Sequence, residues 1–367
     1  IIQIAAITGT SGLTFLLVSI NLMISKILYD YMKNKKINYK VFVLMFLILI
    51  PVLFYGYYHM GIYQPYKYKK YTVGMIQPAY TGEEKVDHEN VLKYVKEQEK
   101  QTKKMKGKID LLLWPETAIN GFSYKTSGDN TLPKIAKSQN AVFMVGYKDW
   151  VEGLDNGTNS VRFLDDEGKI INKYFKNILV PVFERVPYRD YLRKKILNTK
   201  YEKFVEKHFG SIHSRLKYYQ FTAFNIVNPI ETKVGNIATR ICYEGSFPRL
   251  FRKQVKNGAD VLVLISSDSA FGLKSSAPYM DFNTNILRAV ENGRYLVRND
   301  NYALSAVIDP YGRVVQKTKI GKKTNLVGSY KRIKDKTIYS QYGEWFLYLS
   351  LFVLFVQISY LKIKKRG

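Results

Sequence analysis

Among 367 residues there is a single cysteine, Cys242, and there are four histidines. The lone thiol excludes an internal disulfide and any metal site built from clustered cysteines, and the scattered histidines have no metal-ligand spacing. No metal is expected. Acidic residues are also scarce, with 30 Asp and Glu against 57 Lys and Arg, a net charge of +27. That excess suits an anionic partner, either nucleic acid or an anionic lipid surface, although lysine-rich and tyrosine-rich usage from an AT-biased source would give the same balance. Fixed-period repeats and low-complexity tracts are absent.

Apolar sequence, by contrast, is plentiful and gathered into three blocks. Ile1 to Ile27 holds one ionisable residue, Lys26, and is long enough to cross a hydrocarbon core of about 30 Å as a helix. Val41 to Tyr58 is apolar, with Pro51 inside and aromatics at its outer end. Trp345 to Leu361 is shorter, with Trp345 and Tyr348 at one end and lysines beyond the other. The predicted organisation is membrane helices at 1–28, 41–60 and 343–361, a basic loop at 29–40, a linker at 61–70, a large domain at 71–338 and a basic tail at 362–367. Buried core helices are the alternative, or a signal peptide for the first block, which fits poorly because no basic n-region precedes Ile1.

Lys26, Lys33, Lys35, Lys36 and Lys40 against Asp30, and Lys362, Lys364, Lys365 and Arg366 after the third block, place both segments in the cytoplasm. The large domain is then outside, which favours a lipid surface over nucleic acid. The expected arrangement is multi-pass, with the domain on the outer face of its membrane.

Within that domain, "YTVGMIQ" from Tyr71 reads as a buried strand and Asp87 to Lys106 as an amphipathic helix. "IDLLLWPE" is a continuous apolar run ended by proline, as expected of a strand buried on both faces. "AVFMVGY", "TNSVRFL" and "KIINKYF" suggest a strand and a hairpin. "KVGNIATRICYE" leads into Cys242, "ADVLVLISSD" is another buried strand, and a helix is expected between Phe247 and Asn257. "YALSAVIDPYGRVV" reads as a hairpin with a Pro-Tyr-Gly turn. Strand and helix alternate around two apolar sheets, which predicts an α/β or α+β layered sandwich. Tyr188 to Tyr219 is a basic, aromatic insertion, suited either to an arm lying on lipid headgroups or to ordinary solvated helices.

A cysteine becomes a strong nucleophile when a nearby base or cation favours its thiolate. Cys242 follows a predicted strand and precedes Tyr243, Glu244 and Gly245, a junction suited to presenting a side chain, although a lone strand-end cysteine is more often a small core residue. Glu116 ends the strand in Trp114-Pro115-Glu116 and could exchange a proton with a thiol, or could be an ordinary surface carboxylate. Lys176 in "YFKNILVP" could stabilise an oxyanion, but one lysine among so many carries little weight alone.

In order and context, "LLLWPETAING", "YFKNILVPVFERVP" and "RICYEGSFP" resemble the Glu, Lys and Cys motifs of the nitrilase, or carbon-nitrogen hydrolase, superfamily. More narrowly they are similar to those of the apolipoprotein N-acyltransferases, and the likeness runs from about Thr72 to Lys317, including "SSDSAFG" and "RAVENGRYLVRNDN". The resemblance implies a nitrilase-like α-β-β-α sandwich, of α+β class, flanked by transmembrane helices. Carried over by position, it makes Glu116 the general base, Lys176 the oxyanion stabiliser and Cys242 the acyl-accepting nucleophile. Glu184 matches a second family glutamate, and Tyr243 and Glu244 are supporting candidates for which loop hydrogen bonding is an equal reading.

The implied reaction transfers an acyl chain from a phospholipid donor through a Cys thioester to the amino terminus of a diacylated apolipoprotein, without a cofactor, in a monomer. Two departures stand out. Phe183 replaces a family glycine before Glu184, and Ala270 replaces a Trp. The family also has more amino-terminal spans, so this chain is read as a fragment or shortened variant. Two rival readings are a membrane-tethered nitrilase-type amidase and a catalytically inactive lipid- or lipoprotein-binding homologue. The apolar blocks argue against the first and the intact triad against the second.

Overall fold

A computed structural model describes residues 1–61, 68–81, 91–120, 130–150, 157–217, 221–272 and 275–364. Most of the expected linker at 61–70, the start of the helix expected from Asp87 and the end of the basic tail lie outside the described residues. In chain order the strands are β1 (Lys70–Gln77), β2 (Leu111–Asn120), β3 (Val142–Trp150), β4 (Gly157–Leu164), β5 (Ile170–Phe175), β6 (Ile230–Thr232), β7 (Gly235–Ile241), β8 (Val261–Ser266), β9 (Leu296–Asp300), β10 (Ala306–Ile308), β11 (Val314–Lys317) and β12 (Thr324–Lys331). They form two six-stranded sheets, β12-β1-β2-β3-β4-β5 and β11-β10-β9-β8-β7-β6.

The long apolar runs of the central strands β2 and β8 still sort by parity. Leu111 and Leu113 of β2, with Val261, Val263 and Ile265 of β8, point into the shared core between the sheets. Leu112 and Trp114 point the other way, into a second core. Leu262 and Leu264 do the same on the far side of the other sheet. Each fully buried side chain of this kind contributes roughly 1.5–3 kcal/mol.

The outer cores are closed by helices. After α1 (Ala5–Asn34) and α2 (Tyr39–Gly61) come α3 (Val91–Lys103) and α4 (Thr131–Gln139), which cover the first sheet. Then follow α5 (Arg189–Ile196), α6 (Glu202–His208) and α7 (Gly210–Lys217) of the basic insertion. Helices α8 (Pro248–Lys256) and α9 (Ala277–Asn292) cover the second sheet, and α10 (Ile338–Tyr342) and α11 (Trp345–Lys364) end the chain. The result is an α-β-β-α sandwich. Helices α1, α2 and α11 are long and apolar enough to cross a membrane. Phe15 of α1 meets Phe346 of α11 edge-on, with ring centroids 5.4 Å apart.

Strand direction decides where chemistry can gather. β1, β2 and β3 run parallel, β4 reverses and β5 reverses again. The ends of β2 and β5 and the beginning of β4 therefore share one edge of the first sheet. In the second sheet β7, β8 and β9 are parallel.

Candidate active site

Glu116 does not end the strand; β2 continues through it to Asn120. Proline cannot donate to a ladder, and the pairing with β3 jumps from Trp114 opposite Val145 to Ile119 opposite Tyr147. The surplus residues form a bulge, a device that re-aims side chains at the rims of sheets. Thr117 takes φ +48° within it. Opposite stands Gly146, where a Cβ would lie 2.0 Å from the Pro115 carbonyl oxygen and 2.7 Å from Glu116 Cα. Only glycine lets the bulge sit against β3.

Lys176 follows β5 directly, and its main-chain N–H donates to the Asn159 carbonyl at 2.9 Å. Its side chain is fully buried, with Nζ 2.9 Å from Glu184 Oε1 and 3.4 Å from Glu116 Oε1. Asn159, near the start of β4, donates from Nδ2 to the same two oxygens at 2.7 Å (Glu116) and 3.2 Å (Glu184). Glu184 accepts a further hydrogen bond from the Val180 N–H at 2.8 Å. Burial opposes the ammonium charge, but the attraction of Glu116 and Glu184 outweighs it and keeps Lys176 protonated far above the ordinary lysine range.

Phe183, in the family's glycine position, is 62% exposed, and the left-handed residue of this loop is instead Val182 at φ +71°. The bulky side chain therefore points outward while Glu184 still reaches Lys176. Ala270 is likewise exposed.

Cys242 begins a single 3-10 turn, Cys242–Ser246, at the end of β7 and takes φ +50°. A left-handed non-glycine residue is held only where its surroundings fix it. Glu244 does much of the fixing. Its Oε2 accepts from the Ile241 N–H and the Tyr174 hydroxyl, both at 2.8 Å, while Oε1 accepts from the N–H groups of Asn177 (2.6 Å) and Ile178 (3.1 Å). One buried carboxylate thus ties the Cys242 turn to the backbone just after Lys176. Burial raises the Glu244 carboxyl against the pull of Arg240, which itself donates to Tyr174 at 2.8 Å. Tyr243 packs edge-on to Phe247, 5.0 Å between centroids, and the turn gives it no comparable tie.

The Cys242 thiol is half-buried and packs against the inter-sheet core. Burial and then the charge of Glu116 push its pKa well up, Lys176 pulls it down, and the acids Asp268 and Asp281 add to the upward push. The thiol is therefore favoured over the thiolate at rest. Glu116 is the carboxylate whose charge acts on it most strongly.

Three of the sequence-derived residues, Glu116, Lys176 and Glu184, share direct polar contacts, and Cys242 lies within the electrostatic reach of the first two. The sequence reading passed over Asn159, Gly146, Tyr174 and Arg240. The signal for Asn159 was its place in "TNSVRFL", a polar amide in a strand that turns out to be buried on every side.

Residues 72–329 match the family described as Carbon-nitrogen hydrolase. The chain is 29% identical over 353 residues to the apolipoprotein N-acyltransferase of Geobacter metallireducens, covering 94% of this chain and 64% of that protein. It is 28% identical to that of Thermotoga maritima, covering 98% and 63%. The chain thus spans a little under two thirds of the length of these two relatives. Among solved structures, a carbon-nitrogen hydrolase from Helicobacter pylori superposes with a TM-score of 0.52 at 16% identity, covering 71% of this chain and 89% of that one. An amidase from Nesterenkonia sp. gives 0.51 at 16%, covering 77% and 96%. With the family match extending over most of its length and the same fold in these neighbours, the chain belongs to the carbon-nitrogen hydrolase family.

Proposed function

We propose that this chain carries the catalytic domain of an apolipoprotein N-acyltransferase, moving a fatty acyl chain from a phospholipid to the amino terminus of a diacylglyceryl-modified lipoprotein. The observation that carries this reading is the buried cluster of Glu116, Lys176 and Glu184 beside Cys242, in a chain with apolar helices on both sides of the domain.

In the first half-reaction Glu116 takes the thiol proton as Cys242 sulfur attacks the ester carbonyl. Lys176, fixed between two carboxylates, offers a cation to the developing oxyanion. As the tetrahedral adduct collapses the ester C–O bond breaks, Glu116 returns the proton to the departing alkoxide, and a lysophospholipid leaves a thioester on Cys242. In the second half-reaction the lipoprotein α-amine attacks the thioester carbonyl, Glu116 takes a proton from the amine, and the C–S bond breaks. The proton passes to the sulfur, giving the amide and the free thiol.

The domain lies outside the cytoplasmic membrane, with the lysines at 26–40 and 362–366 inside. The basic insertion of α5 to α7, with Tyr188, Tyr191, Phe204 and Phe209 exposed, rests on the headgroup layer near the donor lipid.

The test supplies purified protein in mixed micelles with acyl-labelled phospholipid and a synthetic diacylglyceryl-Cys peptide. Label is expected in an amide on the peptide. Release of label only as free fatty acid, with the peptide unmodified, would make the chain a hydrolase and overturn the proposal.

A further inference from the structure

Helix α1 is broken near its start. Gly9 takes φ +69° and ψ −169°, and a side chain there would meet the Tyr339 ring at 2.4 Å. Glycine accepts that conformation, and other residues are strained in it. At such a break the amides of the following turn lose their helical acceptors. The carboxylate of Glu291 on α9 lies close enough to the Thr10 backbone for that backbone to favour its charge, against the larger upward push of burial on its pKa. The broken segment is fastened around this point: Trp345 Nε1 of α11 donates to the Ile7 carbonyl at 2.8 Å, and Ala5 and Ala6 pack against Val290 of α9.

Glu291 is fully buried and faces Arg288, one turn earlier and equally buried. Arg288 Nη2 donates to Glu291 Oε1 at 2.9 Å, and Nε lies 2.9 Å from Oε2. The remaining nitrogen, Nη1, donates to the Ser246 carbonyl at 3.3 Å. Ser246 is the last residue of the Cys242 turn. One residue earlier, a Cβ on Gly245 would lie 3.1 Å from Asn285 Nδ2, so α9 and the turn are in close contact at two adjacent points. A continuous polar path therefore runs from the break in a membrane helix to the nucleophile turn. A buried ion pair adds little net stability over apolar packing, but it holds its neighbours to one geometry.

We propose that Arg288 and Glu291 are positioning residues that link the seating of the broken helix α1 on α9 to the placement of the Cys242 turn. The thiol is then held for attack only when the membrane segment is docked. This inference rests on the assignment of Cys242 as nucleophile and requires no particular acyl donor or acceptor.

Cys242 is the only cysteine, so alkylation of the full chain by iodoacetamide in detergent reports on it alone. Rate constants are compared for the parent, Gly9→Ala, Glu291→Gln and the double variant, with melting temperature followed in each. Each single change is expected to shift the rate by about threefold or more, and the double variant is expected to match one single variant, because both lesions interrupt one path. Trp345→Phe, which loosens the same seat without altering the Gly9 backbone, should repeat the pattern with Glu291→Gln and replaces Gly9→Ala if that variant does not fold. Unchanged rates in folded Gly9→Ala or Trp345→Phe, or effects that multiply independently, would overturn the link. Because no lipid is consumed, these outcomes are separate from success or failure of acyl transfer.

Discussion

Lys176 shows how much one side chain can be asked to do. It neutralises two carboxylates in a buried pocket and draws the thiol's pKa down, so on the proposed mechanism Lys176→Met removes the oxyanion's cation and also leaves Glu116 and Glu184 together without their counter-charge. Breaking a buried pair in this way costs about 3–5 kcal/mol, so a clear fall in melting temperature is expected along with loss of thioester formation. Glu116→Gln keeps the packing and should lose activity on the order of a hundredfold or more with a smaller change in melting temperature. Normal acyl-enzyme formation in either variant would remove that residue from the first step.

The thiol makes a separate prediction. A raised pKa leaves less thiolate at any given pH, so alkylation of Cys242 should be slow at pH 7 and still rising past about 8.5, the ordinary cysteine value. A plateau below pH 7 would mean a preformed thiolate pair and a different role for Glu116. At this scale the sequence was informative where residues sit in motifs, as with Glu116, Lys176, Glu184 and Cys242. Asn159 escaped notice because its local sequence does not tell a buried strand amide from a solvent-facing one.

Among the elements, the bulge in β2 decides where Glu116 points. "LLLWPE" was legible as a buried strand, but proline read as its terminator. The strand instead keeps going by giving up four ladder positions, a choice that depends on Gly146 in the neighbouring strand and so on a partner the local sequence does not contain. Gly146→Ala should therefore displace the bulge. A loss of about 1–3 kcal/mol is expected from overpacking against backbone that cannot give way. Thioester formation should fall further than that destabilisation explains. Equal melting temperature and activity to the parent would show that the bulge tolerates a side chain there.

For the whole molecule, continuous apolar strands alternating with helices announced a layered sandwich, and the three apolar blocks announced the long helices. The pairing order was not accessible: that β12 returns from the end of the domain to flank β1, or that the beginning of β4 meets the ends of β2 and β5, follows from contacts between distant segments. Topology across the membrane is the prediction at this scale. A cell-impermeant amine reagent on intact spheroplasts should modify domain lysines such as Lys169 and Lys317 and leave Lys33, Lys35, Lys36 and Lys40 unmodified. The reverse pattern would put the domain in the cytoplasm and contradict the proposed reaction on lipoproteins.

The central claim, that Cys242 accepts an acyl chain from a phospholipid, is tested most directly by intact-protein mass spectrometry after incubation with a defined phospholipid and no acceptor. The account predicts a mass increase of one acyl group, localised to Cys242, removed by hydroxylamine as a thioester should be, and missing from Cys242→Ala. An unmodified parent protein, or the same adduct on Cys242→Ala, would contradict it.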